Sequence, residues 1–448
     1  MRYHLIAIGG SVMHNVGIDL VDLGHHVTGS DDEIYEPSRS RLKAKGLLPD
    51  KMGWDVSRIT ADIDVIILGK HAKSDNPELA KAQALGLKVL SFPEFVSQTS
   101  TASQRVAITG SHGKTSTTAM IMYALKQEGI DFDYLVGAQI EGFGKMVRLS
   151  GSDILVVEGD EYPSSCLDDR AKMLHYKADI SVVTGIAWDH VNIYKTFDAY
   201  KQIFKDYLLQ TKEGDIIFFD MTDGDLVDTM VQTVCKANKT GYQALTTNKK
   251  GQVEHEGQLY DMKIFGEHNF KNANAALHVC SALGLDPISF LTHMQSFKGA
   301  AKRLELIHEA EKKTIYKDFA HAPSKAKATS EAVRTKHPSV TIKGILELHT
   351  FSSLNQGFIE QYRDTLHSMD EVRVFYDPQA LELKRMPALD QKKVEAAFNH
   401  PNLKVFNDSA DLGAYLDQII NVEKGTEVVL IMSSGNLGGN DLSELLDS

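Results

Sequence analysis

Residues 106–116 read Val106-Ala107-Ile108-Thr109-Gly110-Ser111-His112-Gly113-Lys114-Thr115-Ser116, and this stretch decides the fold. An apolar run feeds two glycines and a Gly-Lys-Thr. A helix-compatible segment, Thr117 through Lys126, follows. Strand, glycine turn, Lys-Thr and helix is the layout of a phosphate-binding loop. Backbone N–H groups at a helix N-terminus face the anion, Lys114 adds a positive charge, and the Thr115 hydroxyl is placed to hold Mg²⁺. The motif is the short Gly-x-x-Gly-Lys-Thr, because Ile108 stands where the longer form has its first glycine. A bare Gly-Lys-Thr is often only a strand-to-helix turn. With the preceding strand and Gly110 in place, the stretch predicts a nucleotide site built from Gly110, Ser111, His112, Gly113, Lys114, Thr115 and Ser116.

Outward from the loop, the chain alternates short apolar runs with helix-like segments. Leu5-Ile6-Ala7-Ile8 ends at Gly9-Gly10, Val27 through Asp31 forms a second run, Val65 through Leu68 a third, and Val89-Leu90 begins a fourth. Such alternation predicts a parallel sheet with helices on its faces, and ligands of these sheets bind at the carboxyl ends of strands. Gly9, Gly10, Ser11, Ser30 and Asp31 fall at such ends. The small polar run Ser97 through Gln104 reads as a linker. Beyond it, strands are expected at 154–157, 180–183 and 216–219, with a boundary near Lys298-Gly299-Ala300. A last block carries strands at 340–346, 372–376 and 428–432 and ends in the glycine-rich loop 433–439. The expected class is α/β, as three consecutive α/β domains at 1–99, 100–298 and 299–448. The outer two are Rossmann-like and the central one is P-loop ATPase-like.

Composition narrows the partners. At 448 residues, 42% hydrophobic and 24% charged, the chain fits a soluble protein with several cores. A net charge of −12 argues against a nucleic-acid partner held by a basic surface. Cys166, Cys235 and Cys280 show no metal-type spacing, and so sparse an odd count suits a reducing cytoplasm. The N-terminus lacks the pattern of a signal peptide, and no apolar run is long enough to span a membrane. A cytoplasmic monomer or weak homo-oligomer is expected.

Several further constellations bear on chemistry. Glu158, Asp160 and Glu161 follow a buried strand, where they can meet a metal at the mouth of the loop or form a solvated turn. Asp189-His190 follows another strand. With Lys114 in the same block, Glu161 and His190 point to a Mg²⁺–ATP site near Thr115, with Thr115, Glu161 and His190 as metal ligands. Asn269 and Asn272 share a helix face, which suits helix-start capping or an amide-rich ligand such as adenine. Lys302-Arg303 follows the second boundary, and Arg303 is able to reach a phosphate bidentately if domains close. Asp318 and His321 end a short strand.

These pieces, in this order, resemble the Mur ligase superfamily over nearly the whole chain. The resemblance implies ATP-dependent amide ligases of peptidoglycan assembly built from three α/β domains. It implies an ATP loop at 110–115, a Mg²⁺ glutamate at Glu161, a metal-site histidine at His190, adenine-side Asn269 and Asn272, and Arg303 and Asp318 reaching the nucleotide. Lys114, Glu161 and His190 carry the catalytic role in that scheme. It assigns the first domain to UDP-N-acetylmuramate, with Gly9, Gly10, Ser11, Ser30 and Asp31 as contacts, and the third to the incoming amine, near His349. Within the superfamily, the run Asp160 to Tyr176 is similar to the members that attach L-alanyl-γ-D-glutamyl-meso-diaminopimelate in peptidoglycan recycling. The alternative is a ligase that attaches L-alanine during de novo synthesis. The 348–354 loop lacks the arginines of the alanine-adding members, which weighs against that alternative. Two other readings are weaker. A nicotinamide-dependent oxidoreductase explains Gly9-Gly10 and Asp31 but leaves Lys114-Thr115 idle. A non-catalytic nucleotide-binding regulator does not need Lys114, Glu161 and His190 together.

Overall fold

The computed structural model describes residues 1–300, 303–421 and 425–446. Three sheets dominate it. The first holds β1 (Arg2–Ile6), β2 (His26–Ser30), β3 (Val65–Leu68) and β4 (Lys88–Ser91) in the order β2-β1-β3-β4, all parallel. The second holds β5 (Gln104–Thr109), β6 (Asp133–Leu135), β7 (Val147–Arg148), β8 (Ile154–Glu158), β9 (Ile180–Val183), β10 (Ile216–Asp220) and β11 (Asn238–Tyr242). Its order is β11-β10-β9-β5-β8-β6-β7, with only the edge strand β7 antiparallel. A small hairpin, β12 (Val253–His255) and β13 (Gln258–Tyr260), follows. The third sheet holds β14 (Glu305–Glu309), β15 (Lys313–Asp318), β16 (Thr341–Leu348), β17 (Glu371–Tyr376), β18 (Leu403–Phe406) and β19 (Glu427–Met432). Its order is β14-β15-β19-β16-β17-β18, with β14 antiparallel.

The side-chain period of two explains why these strands read as continuous apolar runs. In β19, Val428, Leu430 and Met432 enter one core while Val429 and Ile431 enter another, so every position is buried. β1 is one residue pair shorter at its C-terminal end than the apolar run Leu5–Ile8 suggests. Ala7 takes a φ of 66°, which ends the strand. Ala7 and Ile8 stay apolar because the turn itself is buried.

Compact packing divides the chain into two units. One comprises Met1–Ile186, Lys201–Gln243 and Ala273–Met294; the other comprises Ala187–Tyr200, Ala244–Asn272 and Gln295–Ser448. In the first unit a single core joins both sheets, from Leu5, Val16 and Phe95 to Leu135, Leu155 and Tyr176. Polar ties reinforce it. Lys145 Nζ reaches Asp19 Oδ1 at 2.6 Å, and the Leu149 and Met146 amides donate to Asp19 and Asn15. These bonds hold the helix Met13–Asp22 of the first sheet against β7 of the second. In the second unit, Trp188, Val191 and Phe265 pack into the core of the third sheet, which is why their segments belong there. No described helix is long and apolar enough to cross a membrane.

Candidate functional site

β5 is the natural ligand strand of the second sheet. It lies between β8 and β9 and runs parallel to both, so the loops after all three strands meet at one edge. The helix Lys114–Gln127 starts directly after the β5 loop. Gly110 (φ 113°) and Gly113 (φ 81°) lie in the left-handed region that favours glycine. A Cβ at Gly110 would stand 2.4 Å from Thr184 Oγ1 and 2.7 Å from the Thr184 backbone nitrogen. The Ser111 amide donates to Gly185 O at 3.0 Å, and Thr184 Oγ1 donates to the carbonyls of Thr109 and His112. The β9 end thus clamps the loop from outside. Gly113, the N-cap of the helix, supplies no side-chain cap, and a helix N-terminus of this kind is where an anion is held. Ser116 is buried in that turn.

The β8 end supplies the acids. Lys114 Nζ donates to Glu161 Oε2 at 2.6 Å and to Gly110 O at 2.5 Å. Burial alone would depress the Lys114 pKa, but the charges of Glu161 and Asp160, with Glu158, outweigh it and keep the ammonium charged. Thr115 Oγ1 donates to Glu158 Oε1 at 2.8 Å, and the Gly137 amide binds Glu158 Oε2. The donor set around Lys114 is therefore hydroxyl and carboxylate oxygen, the chemistry that suits Mg²⁺. Glu158 was legible only as one of three carboxylates past a strand. Its bond to Thr115 follows from the pairing of β5 with β8.

Residues 160–173 then fold back on themselves. Lys172 N donates to Tyr162 O, Met173 N to Asp160 O, and Ser164 N to Arg170 O, each at 3.0 Å. This pairing puts Lys172 Nζ on Asp160 Oδ2 at 2.6 Å. Arg170 turns instead to Asp168, at 2.6 Å, with Glu94 at 3.9 Å.

The strand order of the first sheet reverses at β1, which has β2 on one side and β3 on the other, and Gly9-Gly10 lies at that point. The Gly9 amide donates to Asp31 Oδ2 at 2.7 Å. Gly10 O takes the His14 amide and ring, Ser11 O takes Asn15 Nδ2, and the Ser11 side chain is exposed. Ser30 is placed differently from an exposed contact. It has no accessible surface, and its hydroxyl donates to buried Glu78 beside His4. Asp31 is nearly buried and serves the Gly9 turn.

The remaining predicted residues belong to the second unit. His190 takes a φ of 55°, and its carbonyl accepts the amides of Ile193 and Tyr194. Asp189 accepts Ser352 Oγ at 3.0 Å. Burial would raise the Asp189 pKa, but His190, Lys325 and His321 hold it below the usual carboxylate range. Burial, with Lys325, pushes His321 down to about 3. Asn269 Nδ2 caps Phe265 O at 2.9 Å, and Asn272 is buried one turn on. Asp318 accepts Thr329 Oγ1, and the Arg303 guanidinium lies 4.9 Å from the Phe319 ring centre. Lys302 lies outside the described residues. His349 Nδ1 stands 3.9 Å from Glu347, at the end of β16. In the loop after it, Thr350 and Ser353 bond each other and Ser352 bonds Asp189, so the loop presents no cation. The Asp189–His321–Lys325 grouping lay beyond the sequence reading, because its members come from separate segments.

Comparison with known proteins bears on this arrangement. The description "Mur ligase middle domain" matches residues 108–280, and "Mur ligase family, catalytic domain" matches residues 2–104. A UDP-N-acetylmuramate–L-alanyl-γ-D-glutamyl-meso-2,6-diaminoheptandioate ligase of Haemophilus influenzae is 27% identical, over 97% of this chain and 96% of its own. A UDP-N-acetylmuramate–L-alanine ligase of Caldicellulosiruptor saccharolyticus is 30% identical, over 80% of this chain and 81% of its own. The crystal structure of a murein peptide ligase from Psychrobacter arcticus superposes with a TM-score of 0.70 at 21% identity, covering 100% of this chain and 99% of that one.

Proposed function

The chain belongs to the Mur ligase family, and we propose that it joins UDP-N-acetylmuramate to L-alanyl-γ-D-glutamyl-meso-diaminopimelate at the cost of ATP, in the cytoplasm. The observation that carries this reading is the Lys114 loop with Glu161, Thr115 and Glu158 at its mouth. A carboxylate oxygen of the muramate attacks the γ-phosphorus, and the bond to ADP breaks. The amine nitrogen then attacks the acyl phosphate carbon, phosphate leaves, and the nitrogen gives up a proton. Neither step needs a side-chain nucleophile, so positioned charge carries the rate. Lys114 neutralises phosphoryl charge. Thr115 and Glu161 would hold Mg²⁺, which supplies further neutralisation of the phosphate oxygens. His190 shares that metal role, and Asn269, Asn272, Arg303 and Asp318 serve the nucleotide, on the strength of the family resemblance. The three-domain division at residues 99 and 298 belongs to the same reading.

The tripeptide is favoured over alanine by the 160–176 segment and by the self-satisfied 350–353 turn, which offers no arginine to a single amino acid's carboxylate. A phosphate-release assay with ATP, UDP-N-acetylmuramate and either amine tests this. Tripeptide-dependent release is expected. A kcat/KM for L-alanine well above that for the tripeptide reassigns the amine, and no release with either ends the ligase reading.

A further inference from the structure

Lys70 follows β3 after one glycine, Gly69, at the ligand edge of the first sheet. Its ammonium lies 5.9 Å from the centre of the Tyr162 ring. Lys172 approaches the same ring at 6.0 Å and Phe92 at 5.4 Å. Lys172 has Asp160 as its partner. Lys70 is half-buried and forms an ion pair with no carboxylate of the described residues. Two cations and one carboxylate around a shared aromatic ring leave one positive charge over, in a chain whose net charge is −12. The group is also placed on a line of contacts. Lys70 meets Tyr162, Tyr162 is bonded along the backbone to Lys172, Lys172 holds Asp160, and the next residue, Glu161, holds Lys114. The contacts thus connect Lys70, at the ligand edge of the first sheet, to the Lys114 loop of the second.

We infer that Lys70, with Lys172 beside it, is the clasp that receives the carboxylate of the acyl-donor substrate and presents it toward the Lys114 loop. The inference rests on the proposed donor. Lys70 binds and positions; it makes and breaks no bond. Burial and the neighbouring Lys172 lower its pKa, so an incoming anion gains more from it than from a solvated lysine. The aromatic face of Tyr162 keeps both ammonium groups from swinging to solvent.

The test is Lys70→Met, which keeps the aliphatic stem and removes the charge, with Lys70→Arg as the conservative variant. Calorimetry uses three probes: UDP-N-acetylmuramate, UDP-N-acetylglucosamine, which has the diphosphate but no lactyl carboxylate, and UDP. Lys70→Met should weaken UDP-N-acetylmuramate roughly 10- to 100-fold, the range for one charged hydrogen bond. Binding of the other two probes, the KM for ATP and the thermal midpoint should stay put, and Lys70→Arg should restore most of the loss. Equal weakening of all three probes places Lys70 on the diphosphate and overturns the carboxylate assignment. Unchanged binding overturns the inference alone. Wild-type protein that does not prefer UDP-N-acetylmuramate to UDP-N-acetylglucosamine overturns the donor assignment and the inference with it.

Discussion

The first and second sheets each send their opening strand into a pair of glycines and then a helix, yet the two turns are finished differently. At Gly9 the backbone amide donates to the chain's own carboxylate, Asp31, and residues 7–13 carry no lysine or arginine. At Gly110 the loop is clamped from outside by Thr184 and Gly185, and Lys114 stands charged among three acids. The same local pattern therefore marks a place for a ligand in both sheets, while the charges brought in by neighbouring strands decide what kind. The second turn has the charge that phosphate requires, as the proposed function expects. The first is a corner tied by its own carboxylate, so any cation for a ligand there must come from outside residues 7–13.

The comparison breaks most readily at Lys114. Lys114→Ala should lower kcat roughly 100- to 1000-fold, as removal of preorganised charge does elsewhere. Because it also strands buried Glu161, its stability must be read beside Lys114→Met/Glu161→Gln, which should regain the fold without regaining turnover. Near-normal turnover of the folded single variant would sink the assignment. Next in size are the glycines. Gly110→Ala meets both a left-handed φ and a backbone clash at 2.7 Å, and should cost about 2–4 kcal/mol in denaturant unfolding together with ATP affinity. Gly9→Ala meets the side chains of Asp31 and Ile34 at 2.9 Å, which can shift, so about 1 kcal/mol is expected. Equal costs would mean that the two turns are equally constrained.

The smallest effect sharpens the contrast through pH. Burial raises the Asp31 pKa to about 6, against the lowering by the Gly9 amide and with help from Asp32. The unfolded aspartate titrates near about 3.9. Between these values the folded chain holds a proton that the unfolded chain has lost, so this group's contribution to stability falls as pH rises from about 4 to about 6 and is flat above. Asp31→Asn should flatten that part of the thermal-midpoint profile. A profile identical to wild type would show that Asp31 is not the titrating group.

Much of this was legible because it is local. Val65–Leu68 and Ile180–Val183 are strands with the expected bounds, since buried parallel strands are short apolar runs that end in turn residues. The Lys114 loop was legible for the same reason. Pairings across sequence were not. Glu161, 47 residues on, was placed beside the Lys114 loop by its position past a strand and by the family resemblance, but its direct bond to Lys114 was not legible. Ser30 ends a strand as a ligand residue would, but its hydroxyl faces inward to Glu78, and one strand alone does not tell which face is covered. Lys172 meets Asp160 only through the fold-back of 160–173.

β19 carries a consequence for synthesis. It is inserted between β15 and β16, yet it is made after every other strand of the described residues. After Leu348 leaves the ribosome, 78 more residues precede the start of β19 at Glu427. At about 5–20 residues per second that is a wait of roughly 4–16 s. During it, two strands with buried faces offer unpaired edges to any neighbouring chain. The nascent protein is most vulnerable to aggregation in this interval, and a message truncated before Met432 would leave it there.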